Sequence, residues 1–243
     1  ERRRTQVSPL WPSVTLLWVC VQGAFGAWTV TLKLFPAIVT LHLLGAMVLL
    51  ALLRWQTVRY AQAAGRSPLV WPIGLRPWLW GGLVLVTLQV ALGAWVSTNY
   101  AVLACNTFPT CQGRWWPRMD FAAGFELWRP LGHSSTGNVL GFDALTAIHY
   151  THRLMAYVLV AALLGLALFL RRVQGHGQQA RWLLMLLVWQ VLSGLSNVVL
   201  GWPMLAALAH TGGAAALVVL LVGWLAAPVA TSFSFSSSYA GRT

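Results

Sequence analysis

Acidic residues are nearly missing from this 243-residue chain: Glu1, Asp120, Glu126 and Asp143 are the whole set, against 16 Lys and Arg. None of the four falls inside a long apolar run, so no carboxylate is on hand within a hydrophobic span to ligate a metal or to partner a buried base. Charged residues of every kind make up only 8% of the chain, and the mean hydropathy is +0.68. That excludes a soluble domain, which has to cover itself with polar groups. The formal charge of +12 does not indicate a nucleic-acid partner either, because the basic residues sit between apolar runs and not in polar patches. No cleavable signal peptide is apparent: the first apolar run reads as a full span and not as a short hydrophobic region with a small-residue cleavage site. Cysteine is scarce, with three residues in all.

What is present is hydrophobic length. Six stretches reach the ~20 residues needed to cross ~30 Å of hydrocarbon, near 10–32, 35–56, 76–99, 144–170, 181–201 and 203–227. The expected fold is therefore an all-α membrane protein with six transmembrane helices. Sorting Lys and Arg by connecting segment puts Arg2, Arg3, Arg4, Arg54, Arg59, Arg66, Arg76, Arg171, Arg172, Arg181 and Arg242 on one side of the membrane. Lys33, Arg114, Arg118 and Arg129 fall on the other. This bias predicts cytoplasmic termini, with the segment 100–143 outside. The Trp-rich stretches WPIGLRPWLW and GRWWP suit the two interfacial belts. Cys105 and Cys111, separated by five residues on the oxidising side, suit a disulfide better than a metal site, since no nearby Cys or His completes a ligand set. Cys20, inside the first span, reads as a small core residue. RMDFAAGFELWRP reads as an amphipathic helix at the outer interface, with a surface loop as the alternative. The Ser-rich tail from 228 reads as a mobile end.

The chain also repeats itself. A shift of 168 positions superposes Gln22 on Gln190, Gly26 on Gly194, His42 on His210, Gly45 on Gly213 and Ala46 on Ala214. The third span opens the same way, with Gln89 four residues before Gly93. Helix-packing chemistry accounts for the Gln and Gly. It does not account for the histidines.

Ionisable side chains in hydrocarbon are costly and usually face a bundle interior. His42, His149, His152 and His210 qualify, whereas His133 and His176 fall in polar loops and read as solvated. Counted inward at ~1.5 Å per residue, His42, His152 and His210 lie at one level, roughly 10 Å below the outer surface. Imidazoles from separate helices at one level suit a six-coordinate haem iron, whose axial ligands approach from opposite faces. A copper or zinc site would want three or more ligands. His152 is preferred over His149 as a ligand, because Arg153 and the matching depth accompany it. Arg153 can reach outward to propionates or carbonyls, and His149 stays a neighbour with hydrogen-bonding or proton-handling capacity. A proton-shuttling transporter is the rival reading, disfavoured because no acidic group is buried beside the histidines.

Four segments carry a resemblance: QGAFGAWTVTLKLFPAIVTLHLLGAM at 22–47, LGAWVSTNYAVLACNTFPTCQG at 92–113, IHYTHR at 148–153 and LSNVVLGWPMLAALAHTGG at 195–213. In order and spacing the chain resembles the haem A synthase family, membrane enzymes that oxidise the methyl group of haem O to the formyl group of haem A for terminal oxidases. The resemblance implies a bundle of eight spans made of two pseudosymmetric four-helix halves, of which this chain resembles spans three to eight. Residues 10–57 would close the N-terminal half, 58–75 would be a cytoplasmic loop, and 76–227 would form the C-terminal haem-binding half. Residues 1–9 and 228–243 would be cytoplasmic ends. His152 and His210 resemble the pair that binds a resident haem b, with Arg153 beside it, and His42 resembles a ligand of the substrate haem O. Cys105 and Cys111 resemble the disulfide of the C-terminal half. The family's first two spans, with a second substrate-site histidine and a catalytic glutamate, have no counterpart here, and His149 stands at the glutamate's repeat position. The catalytic residue is therefore unassigned, and a non-catalytic b-type cytochrome is the alternative reading. The bilayer and haem O are the implied partners. Contacts with a haem O-producing enzyme or oxidase assembly factors, and homo-oligomer formation, stay open.

Overall fold

The computed structural model describes residues 8–66, 69–72 and 74–229; Arg2, Arg3, Arg4, Arg242 and most of the Ser-rich tail lie outside these. Among the described residues there are seven α-helices and no strand. They are α1 (Leu10–Thr31), α2 (Pro36–Ala63), α3 (Leu75–Thr98), a short α4 (Phe121–Gly124), α5 (Phe142–Arg172), α6 (Gly177–Val199) and α7 (Met204–Leu225). A 3-10 turn, Ala101–Ala104, follows α3. Six of the helices are long and apolar enough to cross a membrane, so the protein is an integral membrane protein.

Helices α3, α5, α6 and α7 close a ring in which each packs on the next. Helices α5 and α7 stand at opposite corners, as do α3 and α6. Helix α2 lies against α3 and α7, and α1 touches the rest chiefly through α2. The ring is filled by Leu79, Leu163, Leu183, Leu217 and Leu221, all nearly inaccessible. α1 buries only Gln22. Cys20 is accordingly exposed on α1, a correction to the core placement: a thiol in a span satisfies the hydropathy pattern equally well facing lipid or protein.

The 168-residue repeat extends into the turns. After α1, Lys33 and Leu34 take left-handed conformations (φ 51° and 59°), and after α6, Gly201 and Trp202 do the same (φ 71° and 63°). Leu34 N–H donates to Thr29 O and Trp202 N–H to Asn197 O, again 168 apart. Each turn then meets a proline, which starts α2 at its first position and precedes α7, where a missing N–H costs nothing. The two hairpins are thus one structure used twice.

The ends differ from the sequence reading in two places. The stretch 118–130 forms only the four-residue α4, capped by Asp120, which accepts from Ala123 N–H at 3.0 Å, and otherwise turns as a loop. Arg129 explains why: it is fully buried, donating to Asn99 Oδ1 at 2.7 Å and lying 5.6 Å over the Trp95 ring. Its burial lowers the guanidinium pKa, with the charge of Glu126 opposing that shift. At the opposite end His176 is buried, not solvated. Its ring lies against Trp71, with Nδ1 at 3.0 Å from Gln174 O and Nε2 at 3.1 Å from Val70 O. Trp71, 1% exposed, donates from Nε1 to Trp224 O, and its backbone N–H donates to Pro228 O. The first residues of the tail, 228 and 229, are therefore tied down beside Trp71.

Candidate functional site

Three histidines share one local frame. His42 on α2 lies over Gly26 of α1, His152 on α5 over Gly93 of α3, and His210 on α7 over Gly194 of α6. A Cβ on those glycines would come within 3.4, 2.9 and 3.0 Å of the imidazole Cε1. Glycine is what lets the backbone of one helix approach the ring on the next. One turn before each glycine comes the glutamine. Gln22 fills the space a Cβ would occupy at Gly45, and Gln190 does so at Gly213. Oriented to satisfy both its atoms, the Gln190 amide donates to His210 O at 2.9 Å and accepts from Ala214 N–H at 3.3 Å, the two backbone groups that face one another along α7. Met155 occupies the position on α5 that Gly45 and Gly213 occupy on α2 and α7, so the slot there is filled. Gln89 instead meets His152 itself, with Nε2 3.0 Å from Nδ1, 3.3 Å from ring Nε2 and 3.1 Å from the carbonyl it donates to.

His152 and His210 come from opposite corners of the ring. Counted from the helix starts at Pro36, Met204 and Phe142, the three histidines lie about 9, 9 and 15 Å along their own axes. His42 belongs to the α1–α2 hairpin and stands outside the ring.

The face of α5 beside His152 has a different occupation. Thr146, His149, Tyr150 and Arg153 follow i, i+3, i+4, i+7 spacing, are all buried, and dock the segment 101–116. Gln112 Nε2 donates to Thr146 Oγ1 at 2.8 Å, His149 Nδ1 meets Ala101 O at 3.0 Å, and the Tyr150 hydroxyl donates to Trp115 O. Arg153 donates to the carbonyls of Thr107 and Thr110, both at 2.9 Å, and of Cys105 at 3.1 Å, with Phe108 under its guanidinium. Of the two destinations considered for Arg153, its donors take the carbonyls. The loop they hold is closed by the Cys105–Cys111 disulfide. His149 thereby has a structural task, anchoring the 3-10 turn.

The donor set fits a macrocyclic iron better than a bare ion. Among the described residues no three His, Cys, Asp or Glu side chains come together to hold a metal. His152 and His210 stand on opposite helices of the ring, and a pair of imidazoles is a set that a porphyrin iron would accept where a bare ion would want more ligands. At His210 the ring has a side-chain partner: Ser193 Oγ, which bonds Trp189 O at 2.7 Å, lies 3.1 Å from His210 Nδ1. His42 Nδ1 is buried without a partner. The shallow surface hollows on α3 (Trp80, Leu83, Val84, Thr87, Leu88) and α6 (Gln178, Arg181, Trp182, Met185) hold none of these histidines.

Residues 1–222 match the family described as cytochrome oxidase assembly protein, COX15-CtaA. The chain belongs to that family. It is 36% identical over 211 residues to a haem A synthase of Shewanella oneidensis, covering 87% of this chain and 64% of that protein. It is 28% identical over 227 residues to a haem A synthase of Caulobacter vibrioides, covering 84% and 61%, and 30% identical over 209 residues to one of Sphingopyxis alaskensis, covering 83% and 55%. The chain thus spans about three fifths of the length of these relatives.

Ser193 was not singled out from the sequence, yet the repeat contains the signal. Three residues after each glutamine stand Phe25, Leu92 and Ser193. Only the last offers an oxygen to its histidine.

Proposed function

We propose that this chain acts as a haem A synthase-like oxidoreductase, converting the methyl group of haem O to the formyl group of haem A for terminal oxidases. The observation that carries this reading is the placement of His152 and His210 at opposite corners of the α3–α5–α6–α7 ring, each seated on a glycine of the neighbouring helix. Haem b is the group these two residues would hold, and when bound it would supply one-electron chemistry. The chain's own contribution is to fix the imidazoles and close the site. Gly93 and Gly194 set how far each ring stands from the helix behind it. Leu163, Leu217 and Leu221 keep water out of the ring beneath, and the loop clamped by Arg153 covers its disulfide end.

His42 is the ligand assigned to the substrate haem O. Its hairpin repeats the frame around His210, and its unpartnered Nδ1 leaves the ring free to adapt to an exchanging ligand. Methyl-to-formyl conversion is a four-electron oxidation: two successive hydroxylations of one carbon give a geminal diol, which loses water to leave the aldehyde. An oxidant and an electron donor outside this chain complete the balance. The Lys and Arg distribution supports an orientation with the disulfide end outside and both chain ends in the cytoplasm.

The test is to express the chain with a source of haem O, extract the pigments, and separate them by chromatography and mass. Haem A among the products is the expected result. A haem b spectrum with haem O unconverted indicates the non-catalytic cytochrome, and a protein without Soret absorption overturns both readings.

A further inference from the structure

We infer that Ser193 is the positioning residue for His210: its hydroxyl fixes the proton on Nδ1, presents Nε2 to the haem iron and strengthens it as a ligand. The inference rests on the haem-ligand reading of His152 and His210 above. The hydroxyl hydrogen of Ser193 is committed to Trp189 O at 2.7 Å, one helical turn back, so toward the imidazole the oxygen can only accept. His210 Nδ1 at 3.1 Å must then be the donor. The ring also rests against Gly194, and the Gln190 amide donates to the backbone carbonyl of His210. Ser193 is itself buried, so water does not compete for that bond.

The other copies of the frame lack this group. Phe25 stands at the same place on α1, and His42 Nδ1 is left buried without a partner. Leu92 stands there on α3. The ring of His152 meets only the amide nitrogen of Gln89, a donor, while Gln89 Oε1 has no partner. Three histidines in one frame are thus held to three degrees, and only His210 is set in the ligating tautomer before a haem arrives. An imidazole whose Nδ1–H is hydrogen-bonded is a more basic axial ligand, which favours ferric iron and slows dissociation.

Ser193→Ala should weaken haem retention by roughly 10–100-fold, the usual cost of losing the group that orients a metal-bound histidine. It should also raise the midpoint potential of the remaining haem. Ser193→Thr keeps the oxygen and should restore both. Potential and retention are read on purified, folded protein by spectroelectrochemistry and by haem transfer to apomyoglobin. A serine kept only for helix packing would change thermal stability alone, so unchanged potential and retention in Ser193→Ala overturns the inference. A His210→Ala protein that still carries the same bis-imidazole haem refutes the underlying ligand reading instead, and the two failures are distinguishable.

Discussion

The hairpins α1–α2 and α6–α7 are built on one pattern, with Gln, Gly, His and Gly in the same register and turns that repeat even in their left-handed residues. They nevertheless hold their histidines differently. In α6–α7 the ring is fixed by Ser193, the backbone by Gln190, and the hairpin is part of a closed four-helix ring. In α1–α2 the ring has an unpartnered Nδ1, Gln22 has an unpartnered Oε1, and α1 buries little against the described chain. The two hairpins share a geometry, and the third position after the glutamine, Ser193 in one and Phe25 in the other, is where the seats of His210 and His42 differ. Under the proposed reading, the tighter seat of His210 would belong to a resident group and the looser seat of His42 to an exchanging one.

The largest expected effect separates these roles outright. His42→Ala should keep the resident haem spectrum while haem A formation falls to background, measured on the same extracted pigments. Normal haem A formation would remove His42 from the substrate site and erase the functional half of the comparison.

A smaller, structural contrast concerns the glycines facing the glutamines. A Cβ at Gly213 would meet not only Gln190 but also the Trp189 indole, at 2.6 Å from Cδ1 and 2.9 Å from Nε1, and that indole is held by its bond to Ala209 O. At Gly45 the atoms met belong to Gln22, whose flexible end can move aside. Gly213→Ala should therefore cost about 1–3 kcal/mol, the usual range for overpacking, and Gly45→Ala less. Unfolding of the two variants in detergent, followed by helical circular dichroism, measures the difference. Equal costs would mean that the two seats are equally tight.

Transplanting the acceptor sharpens the comparison further. Phe25→Ser should give His42 the partner its Nδ1 lacks, slow haem exchange at that site by several-fold, and lower turnover if release limits it. A variant with exchange unchanged would show that position 25 does not govern the loose copy.

The smallest effect lies in the loop at the disulfide end. Hydrogen bonding from Ser135, its side chain first and then its backbone N–H at 3.1 Å, holds the Glu126 carboxyl pKa below the ordinary value. A depressed carboxyl pKa means the contact is present above the ordinary value and is lost as pH falls through the lowered one. Hydrogen exchange of the peptide around Ser135 should differ between the native protein and Glu126→Gln near neutral pH. The difference should vanish on acidification.

Much of this was legible in the sequence because bilayers impose length and because the repeat carries its own register. The six spans, the Gln–Gly–His pattern and the Cys105–Cys111 pairing need only hydropathy, spacing and counting. The exposure of Cys20 has no signal in the sequence, because a hydrophobic run does not say which face meets lipid. His176 was misplaced because a polar loop can fold back onto an indole, here Trp71, a contact more than 100 residues away in sequence. Arg153 and His149 were recognised as exceptional, but their partners are carbonyls of segment 101–110, and backbone groups leave no mark in a sequence. Ser193 escaped notice because a serine in a span usually bonds only its own helix. Its second bond, across to His210, exists only once α6 and α7 pack.

The central claim is that His152 and His210 together ligate one haem. Electron paramagnetic resonance of the oxidised, haem-loaded protein tests it most directly. The account predicts a low-spin bis-imidazole signal in the native protein that is lost in both His152→Ala and His210→Ala. A native signal that survives either substitution would contradict it.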